Sequence, residues 1–258
     1  MIGYLGPGTT LASLVSEPEH SLLVQSYAPR EMLSGVVNAD GFGVGWYAPG
    51  SGDEPAVYRS NQSLWADRTF DGIAGKIQSQ SIFAAVRSAT PGLPVEESGV
   101  PPFSAGPFAF MHNGAIKDFR HTAMRPLRDG LSDEAYSGLL GATDSETIFA
   151  VLLDNYHGAR DLARAMVATI RRVGEVCEKI GVYASLNLAV TDGSEMVFTR
   201  YSTAGPGNSL YFVRDGRAYP GATVVASERL DRDPGWEPVP EQHLLSATKT
   251  GGVELLPL

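Results

Sequence analysis

From Gly41 to Trp46, glycine alternates with a large apolar residue: Gly41-Phe42-Gly43-Val44-Gly45-Trp46. A period of two is strand periodicity. Phe42, Val44 and Trp46 form one face, and the other face carries no side chains. Glycine weakens a strand interior unless something lies close against the bare backbone. The segment therefore predicts a strand with a second piece of structure pressed onto its glycine face. The same run, entered through Asn38-Ala39-Asp40, does not make a phosphate loop. Its third glycine comes one position too early for a dinucleotide fingerprint, and a strand, not a helix, follows. A turn leading into a strand accounts for it equally well.

Turn chemistry divides the first hundred residues into further short strands. These are 2–5, closed by Gly6-Pro7-Gly8, then 21–27, 56–59 and 82–86. Residues 91–106, rich in Pro, Gly and Glu, predict a loop. Residues 108–111 predict a strand that stops at His112-Asn113-Gly114, with a helix-like stretch over 117–120. In the middle third, Thr143 followed by Glu146 fits a capping box, with Ile148, Phe149, Leu152 and Leu153 on one stripe and Gly158 as the stop. Leu162, Met166, Ile170, Val173, Cys177 and Ile180 then recur every three or four residues, which predicts a long amphipathic helix ended by Gly181. Strands return at 182–190, 196–201, 210–213, 223–226 and 253–256. Strands at both ends with helices between them give an α+β fold, most simply two sheets covered by helices. The 29 glycines and 17 prolines, roughly 18% against about 12% in average usage, agree with many turns. No repeat or linker interrupts the pattern, so residues 1–258 are expected to form a single domain.

Charge and cysteine content exclude several classes. With 20 basic and 29 acidic residues the net charge is −9, which argues against a nucleic-acid partner, since phosphate binding needs clustered positive charge. A lone cysteine, Cys177, excludes an intramolecular disulfide framework and any multi-cysteine metal site. It sits on the apolar stripe of the long helix and reads as core. His20, His112, His121, His157 and His243 are scattered, so no metal and no cofactor is expected. No apolar run approaches the roughly 20 residues of a membrane span. No basic-then-apolar leader opens the chain, and a cytoplasmic protein is expected.

Four motifs could carry chemistry, and each has a structural alternative. Besides the glycine strand, Val86-Arg87-Ser88-Ala89-Thr90 ends an apolar strand. An arginine there can clamp a carboxylate through two parallel hydrogen bonds, or simply join a surface ion pair. In His112-Asn113-Gly114 an amide side chain beside a glycine N–H can aim two donors at one developing oxyanion. A plain Asn-Gly turn is the alternative. In Thr143-Asp144-Ser145-Glu146, Asp144 can hold an ammonium group, or it can complement the helix dipole.

Taken in order, these motifs resemble those of the class II glutamine amidotransferases, a family of N-terminal-nucleophile enzymes. The chain is similar to that family throughout its length, most of all to compact members related to the γ-glutamyl hydrolase of ergothioneine biosynthesis. The resemblance implies a four-layer αββα sandwich of two mainly antiparallel sheets. It implies that Arg87 binds a substrate α-carboxylate with help from Thr90, and that Asp144 binds the α-ammonium. Asn113 and Gly114 would form the oxyanion hole, His112 would shape the loop without acting as a base, and Gly41 would admit the substrate backbone. The implied activity is hydrolysis of a γ-glutamyl amide, glutamine or a conjugate such as γ-glutamyl-hercynylcysteine sulfoxide, because 258 residues leave no room for a synthase domain. A homodimer, or an acceptor site on a separate subunit, is compatible with this, and the sequence fixes neither.

One departure stands out. The family's nucleophile is an N-terminal cysteine whose α-amine serves as base, whereas this chain opens Met1-Ile2-Gly3-Tyr4. Thr9 and Thr10 lie beyond a Gly-Pro-Gly turn, and core Cys177 is no substitute. Ile2-Gly3-Tyr4-Leu5-Gly6 is similar to the strand that follows the family's Cys-Arg dipeptide. Two expectations stay open: the chain as given starts a few residues late, or it is an inert relative that keeps a γ-glutamyl pocket.

Overall fold

The structure, a computed structural model, describes residues 1–258 except 34, 51, 89–95 and 251. In chain order the strands are β1 (Ile2–Thr10), β2 (Phe42–Trp46), β3 (Ala56–Ser60), β4 (Gln78–Val86), β5 (Phe103–Ala105), β6 (Phe108–Ile116), β7 (Ala184–Thr191), β8 (Glu195–Arg200), β9 (Tyr211–Gly216), β10 (Tyr219–Ala226), β11 (Glu237–Pro238), β12 (His243–Thr248) and β13 (Val253–Pro257). The α-helices are α1 (Ala12–Val15), α2 (Leu22–Tyr27), α3 (Arg68–Ala74), α4 (Met124–Arg128), α5 (Asp133–Ser137), α6 (Asp144–Ala159) and α7 (Leu162–Ile180).

The strands form two sheets. One has seven strands in the order β11-β9-β10-β1-β4-β2-β3, and the other six in the order β13-β12-β8-β7-β6-β5. Neighbours pair antiparallel. Strand alternation sorts the side chains into layers. Ile2, Tyr4, Phe42, Val44, Ile82 and Ala84 pack outward against Leu14, Leu22 and Phe70 of α1–α3. Phe110, Leu186, Leu188, Val190 and Val197 pack outward against Phe149, Leu152, Met166, Ile170 and Cys177 of α6 and α7. Between the sheets lie Phe83, Met111, Ala189, Phe198 and Leu245. This is the expected αββα arrangement.

The bare face of β2 is covered by the chain itself. A side chain at Gly43 would collide with the Pro101 carbonyl, and one at Gly45 would come 3.1 Å from Pro102 Cγ. At α7, Asp161 Oδ1 caps the start by accepting from Arg164 N–H at 2.8 Å, and Gly181 ends the helix at φ +69°. Buried in that helix, the Cys177 thiol is pushed up to about 11.

Several elements differ from the sequence expectation, each for a local reason. Residues 21–27 form α2, not a strand: Ser21 Oγ accepts from Val24 N–H at 3.4 Å, and a short apolar run does not distinguish helix from strand. Gly6-Pro7-Gly8 does not close β1; the strand runs on to Thr10 with a register shift against β4 between Leu5 and Thr9, as a bulge does. His112-Asn113-Gly114 does not end β6, because Asn113 pairs with Asn187 and Gly114 with Leu186 inside the ladder. The capping box at α6 is half formed. Thr143 Oγ1 accepts from Glu146 N–H at 3.1 Å, but the Glu146 carboxylate turns to Leu140 N–H (2.6 Å) and Gly141 N–H (2.8 Å). Gly158 lies within α6, which ends at Ala159 with Arg160 left-handed at φ +52°.

Candidate active site

One end of the inter-sheet layer changes character. Along β7 the residues facing the other sheet are Thr191, Ala189, Asn187 and Ser185; along β6 they are Ala109, Met111, Asn113 and Ala115. The apolar filling thus gives way to amides and hydroxyls. These groups form a connected set. Asn208 Nδ2 donates to Asn113 Oδ1 (2.8 Å) and to the Asn113 carbonyl (3.2 Å). Asn187 Nδ2 donates to the carbonyls of Asn208 (3.0 Å) and Ser209 (3.2 Å). Ser209 Oγ donates to the Ser227 carbonyl (2.7 Å), and Ser227 Oγ accepts from the Met1 α-amine (2.9 Å). Burial lowers that amine from 8.0 to about 6, against the opposing pull of Glu228.

Asn113 is thereby oriented. Its carbonyl oxygen side is taken by Asn208, and its NH2 has no acceptor among the described residues. Asn187 Oδ1 and Ser185 Oγ are buried and have no hydrogen-bond partner among the described residues. Buried polar groups are ordinarily satisfied by protein or by ordered water, so this end of the layer has hydrogen-bonding capacity to spare. Gly114 cannot carry a side chain, because a Cβ there would collide with the Ser185 carbonyl.

The opposite face of β6 anchors α6. Asp144 Oδ2 accepts from Ile116 N–H at 2.9 Å, and Oδ1 from Ser145 N–H at 2.8 Å. His112 Nε2 lies 3.0 Å from the Ser185 carbonyl, and Nδ1 lies 3.0 Å from Ser145 Oγ. A carbonyl only accepts, so Nε2 carries a proton, and the Ser145 hydroxyl that meets Nδ1 also donates to Asp144 Oδ1 at 3.3 Å. Both ring nitrogens are occupied in holding α6 to β6–β7. Asp144 and His112 therefore fix the helix start beside Asn113 and Gly114.

Arg87 follows β4 directly and is 9% exposed. Its backbone is held between Gly41 and Asp40: Arg87 N–H donates to the Gly41 carbonyl (2.8 Å), and Asp40 N–H donates to the Arg87 carbonyl (3.0 Å). Burial lowers its pKa, opposed by Asp40 and Glu96. Gly99 connects it to α6. The Cβ position at Gly99 is 3.1 Å from Arg87 Nη2 and 3.4 Å from Thr143 Cγ2. The guanidinium and the residue preceding Asp144 thus press on the same glycine. Gly41, at φ +122°, faces the Ser60 carbonyl and Val100, so the close approach it admits is by the protein's own chain. Thr90 lies outside the described residues.

The structure brings Arg87, His112, Asn113, Gly114 and Asp144 to one end of the sandwich. Sequence reasoning missed Asn187, Asn208, Ser209 and Ser227. Asn187 had a usable signal: an amide in the middle of an otherwise apolar strand demands a partner. The Gly207-Asn208-Ser209 segment had none beyond its turn composition. Among the described residues no group of three or more His, Cys, Asp or Glu side chains could hold a metal ion, and no helix is long and apolar enough to cross a membrane.

Comparison with known proteins bears on this geometry. A family model described as class-II glutamine amidotransferases matches residues 11–220. The chain is 37% identical over 252 residues to the gamma-glutamyl-hercynylcysteine sulfoxide hydrolase of Mycobacterium tuberculosis, covering 97% of this chain and 93% of that protein. Among solved structures, a glutamine aminotransferase class-II domain protein from Silicibacter pomeroyi superposes with a TM-score of 0.70 at 22% identity, over 99% of this chain and 97% of that one. Glutamine phosphoribosylpyrophosphate amidotransferase from B. subtilis superposes with a TM-score of 0.61 at 14% identity, over 99% of this chain and 48% of that one.

Proposed function

The chain belongs to the class II glutamine amidotransferases, and from that premise we propose that it is an amide hydrolase that cleaves a γ-glutamyl amide and releases glutamate. The substrate class is a γ-glutamyl conjugate of the kind named for the M. tuberculosis relative. One observation carries the reading: Arg87 and the start of α6 close on Gly99, while Asp144 is bonded to the strand that holds Asn113 and Gly114. An α-amino-acid head group needs one cationic and one anionic clamp. Arg87 supplies a planar fork for the carboxylate. Asp144 keeps a lone pair on Oδ2, beyond its bonds from Ile116 N–H, Ser145 N–H and the Ser145 hydroxyl, for the ammonium group. The γ-carbonyl then reaches Asn113 and Gly114, whose donors take the charge that develops on its oxygen.

In an active member of the family the attacking atom is an N-terminal cysteine thiol, with its own α-amine as base. The thiol adds to the γ-carbonyl carbon and its proton passes to the amine. The leaving nitrogen then collects that proton, and water hydrolyses the thioester to glutamate. Strand register supports the site of attack. Ile2 pairs with Ala84 on one side and Ala226 on the other, the Met1 carbonyl accepts from Ser227 N–H at 3.0 Å, and a cysteine placed ahead of Met1 in the same register would lie toward Arg87. Met1-Ile2 offers no such thiol.

The test expresses the protein with an exposed Cys-Arg ahead of β1 and assays glutamate release from glutamine and from γ-glutamyl thioether conjugates. Release that disappears when the added cysteine is replaced by alanine supports the reading. No release from any member of the panel overturns it. Binding of γ-glutamyl ligands without release would identify an inert relative instead.

A further inference from the structure

We propose that Asn208 is a positioning residue: it sets the direction in which Asn113 presents its amide N–H to the γ-carbonyl oxygen. This rests on the γ-glutamyl reading above and adds to it a residue that acts only through another. An asparagine amide can be turned over with little change in shape, exchanging donor for acceptor. Something must therefore decide which end of Asn113 faces the substrate. Asn208 Nδ2 donates to both Asn113 Oδ1 (2.8 Å) and the Asn113 carbonyl (3.2 Å). Two acceptors on one residue, both facing one donor, leave a single orientation in which the Asn113 NH2 points away from Asn208.

The segment that carries Asn208 is itself held on several sides. Gly207 N–H donates to Glu241 Oε1 (3.2 Å), and Glu241 is paired with Arg200 at 2.9 Å. The Asn208 carbonyl accepts from Asn187 Nδ2 (3.0 Å) and from Arg200 Nε (3.1 Å). Ser209 is fixed by Asn187 and by its own bond to the Ser227 carbonyl. So many specific bonds on a three-residue connection hold its one outward-reaching amide in place. A group aimed at a developing charge must be held in position before the reaction, since an error of about 1 Å can cost about a hundredfold.

The chain as it stands permits a test that needs no turnover. Glutamine serves as the ground-state ligand. A γ-phosphinate analogue of glutamine, with an anionic oxygen on a tetrahedral centre, serves as the transition-state mimic. Both are titrated by calorimetry into the unmodified protein, Asn208→Ala and Asn208→Asp, with thermal melting as the check on folding. The carboxylate introduced by Asn208→Asp keeps the shape of the asparagine side chain but can only accept, so Asn113 would turn its NH2 toward it and offer Oδ1 to the ligand. The expected result is a selective loss. Phosphinate affinity falls about tenfold in Asn208→Ala and further, toward about a hundredfold, in Asn208→Asp, while glutamine affinity changes little. Equal losses for both ligands, no loss, or a near-isosteric Asn208→Asp that is milder than Asn208→Ala would each overturn the positioning role. If neither ligand binds the unmodified protein, the γ-glutamyl reading fails and this inference falls with it. If Asn208→Asp does not fold, Asn208→Ala decides alone: a phosphinate loss that exceeds the glutamine loss supports the role, and equal losses end it.

Discussion

The two ends of the inter-sheet layer are oppositely built: one is closed over by apolar side chains, and the other, where Asn113, Asn208 and Ser209 are half-buried and Gly114 is exposed, is open. At the closed end Phe83 and Phe198 meet at 5.5 Å between ring centroids, with Met111, Ala189 and Leu245 around them. Their side chains carry no hydrogen-bonding group and are held by contact alone. At the other end Asn187 is fully buried yet leaves Oδ1 without a partner among the described residues, and Ser185 does the same with Oγ. One pair of strands, β6 and β7, runs through both ends. The switch occurs within two residues of each strand: Met111 to Asn113, and Ala189 to Asn187. Close packing accounts for the first end without reference to any ligand. The second carries polar groups whose desolvation the fold does not repay internally, each costing about 1–3 kcal/mol. Such a group is satisfied by ordered water or by a ligand.

This contrast can be broken from either side. The largest effect is expected at the closed end, where Phe198→Ala should destabilise the protein by about 3–5 kcal/mol, read from denaturant midpoints, and leave ligand recognition in the surviving folded fraction unchanged. At the open end the signs reverse. Arg87→Ala should cost about 2–5 kcal/mol of γ-glutamyl ligand affinity, roughly 30-fold to several-thousand-fold by calorimetry, with little change in melting temperature. Arg87→Lys should recover only part of this, because lysine lacks the bidentate fork. In the cysteine-bearing protein, Asn113→Ala should lower kcat by about a hundredfold or more with KM nearly constant. A rise in KM at constant kcat would instead remove Asn113 from the oxyanion hole.

Two smaller effects sharpen the comparison. Asp144→Asn should weaken ligands that carry an α-amine by about tenfold and spare analogues without one, since a charge-assisted bond is worth about 1.5–3 kcal/mol. Equal weakening of both would leave Asp144 with only its structural role at the start of α6, complementing the helix dipole and holding Ile116 N–H. The smallest effect is at Cys177. Its thiol is buried and pushed up to about 11, so at around pH 8 the thiolate is a minor species. Alkylating reagents should leave the native protein unlabelled and react only on unfolding. A variant with an added N-terminal cysteine should then label once. Rapid native labelling of Cys177 would show that the α7 core opens.

The sequence made some of this legible because local chemistry and tertiary context agreed. α7 is an example: apolar spacing, Asp161 at the start and Gly181 at the end all point to one helix. The glycine alternation of β2 predicted a close neighbour but could not say which, and only the fold brings Pro101 and Pro102 there. Ser21 decided for helix in a run whose apolar residues fit either state. The Asn-Gly dipeptide misled because its turn signal is local, whereas its place in β6 is decided by pairing with β7, far along the chain. At the site, the residues with distinctive motifs were visible in the sequence. Those that orient them were not, because Asn208 matters only through a contact across 95 positions.

Gly99 has a consequence for substrate choice. It is the spacer against which Arg87 and Thr143 both rest, so on the proposed reading it sets the gauge between the two clamps. A methyl group there would meet Thr143 in ordinary contact at 3.4 Å but stand 3.1 Å from the guanidinium, so the arginine would have to give by a few tenths of an ångström. The gauge would shift by that amount, loosening its fit to a carboxylate and an amine on the same carbon. The fit of the head group would then depend on a residue that touches neither charge.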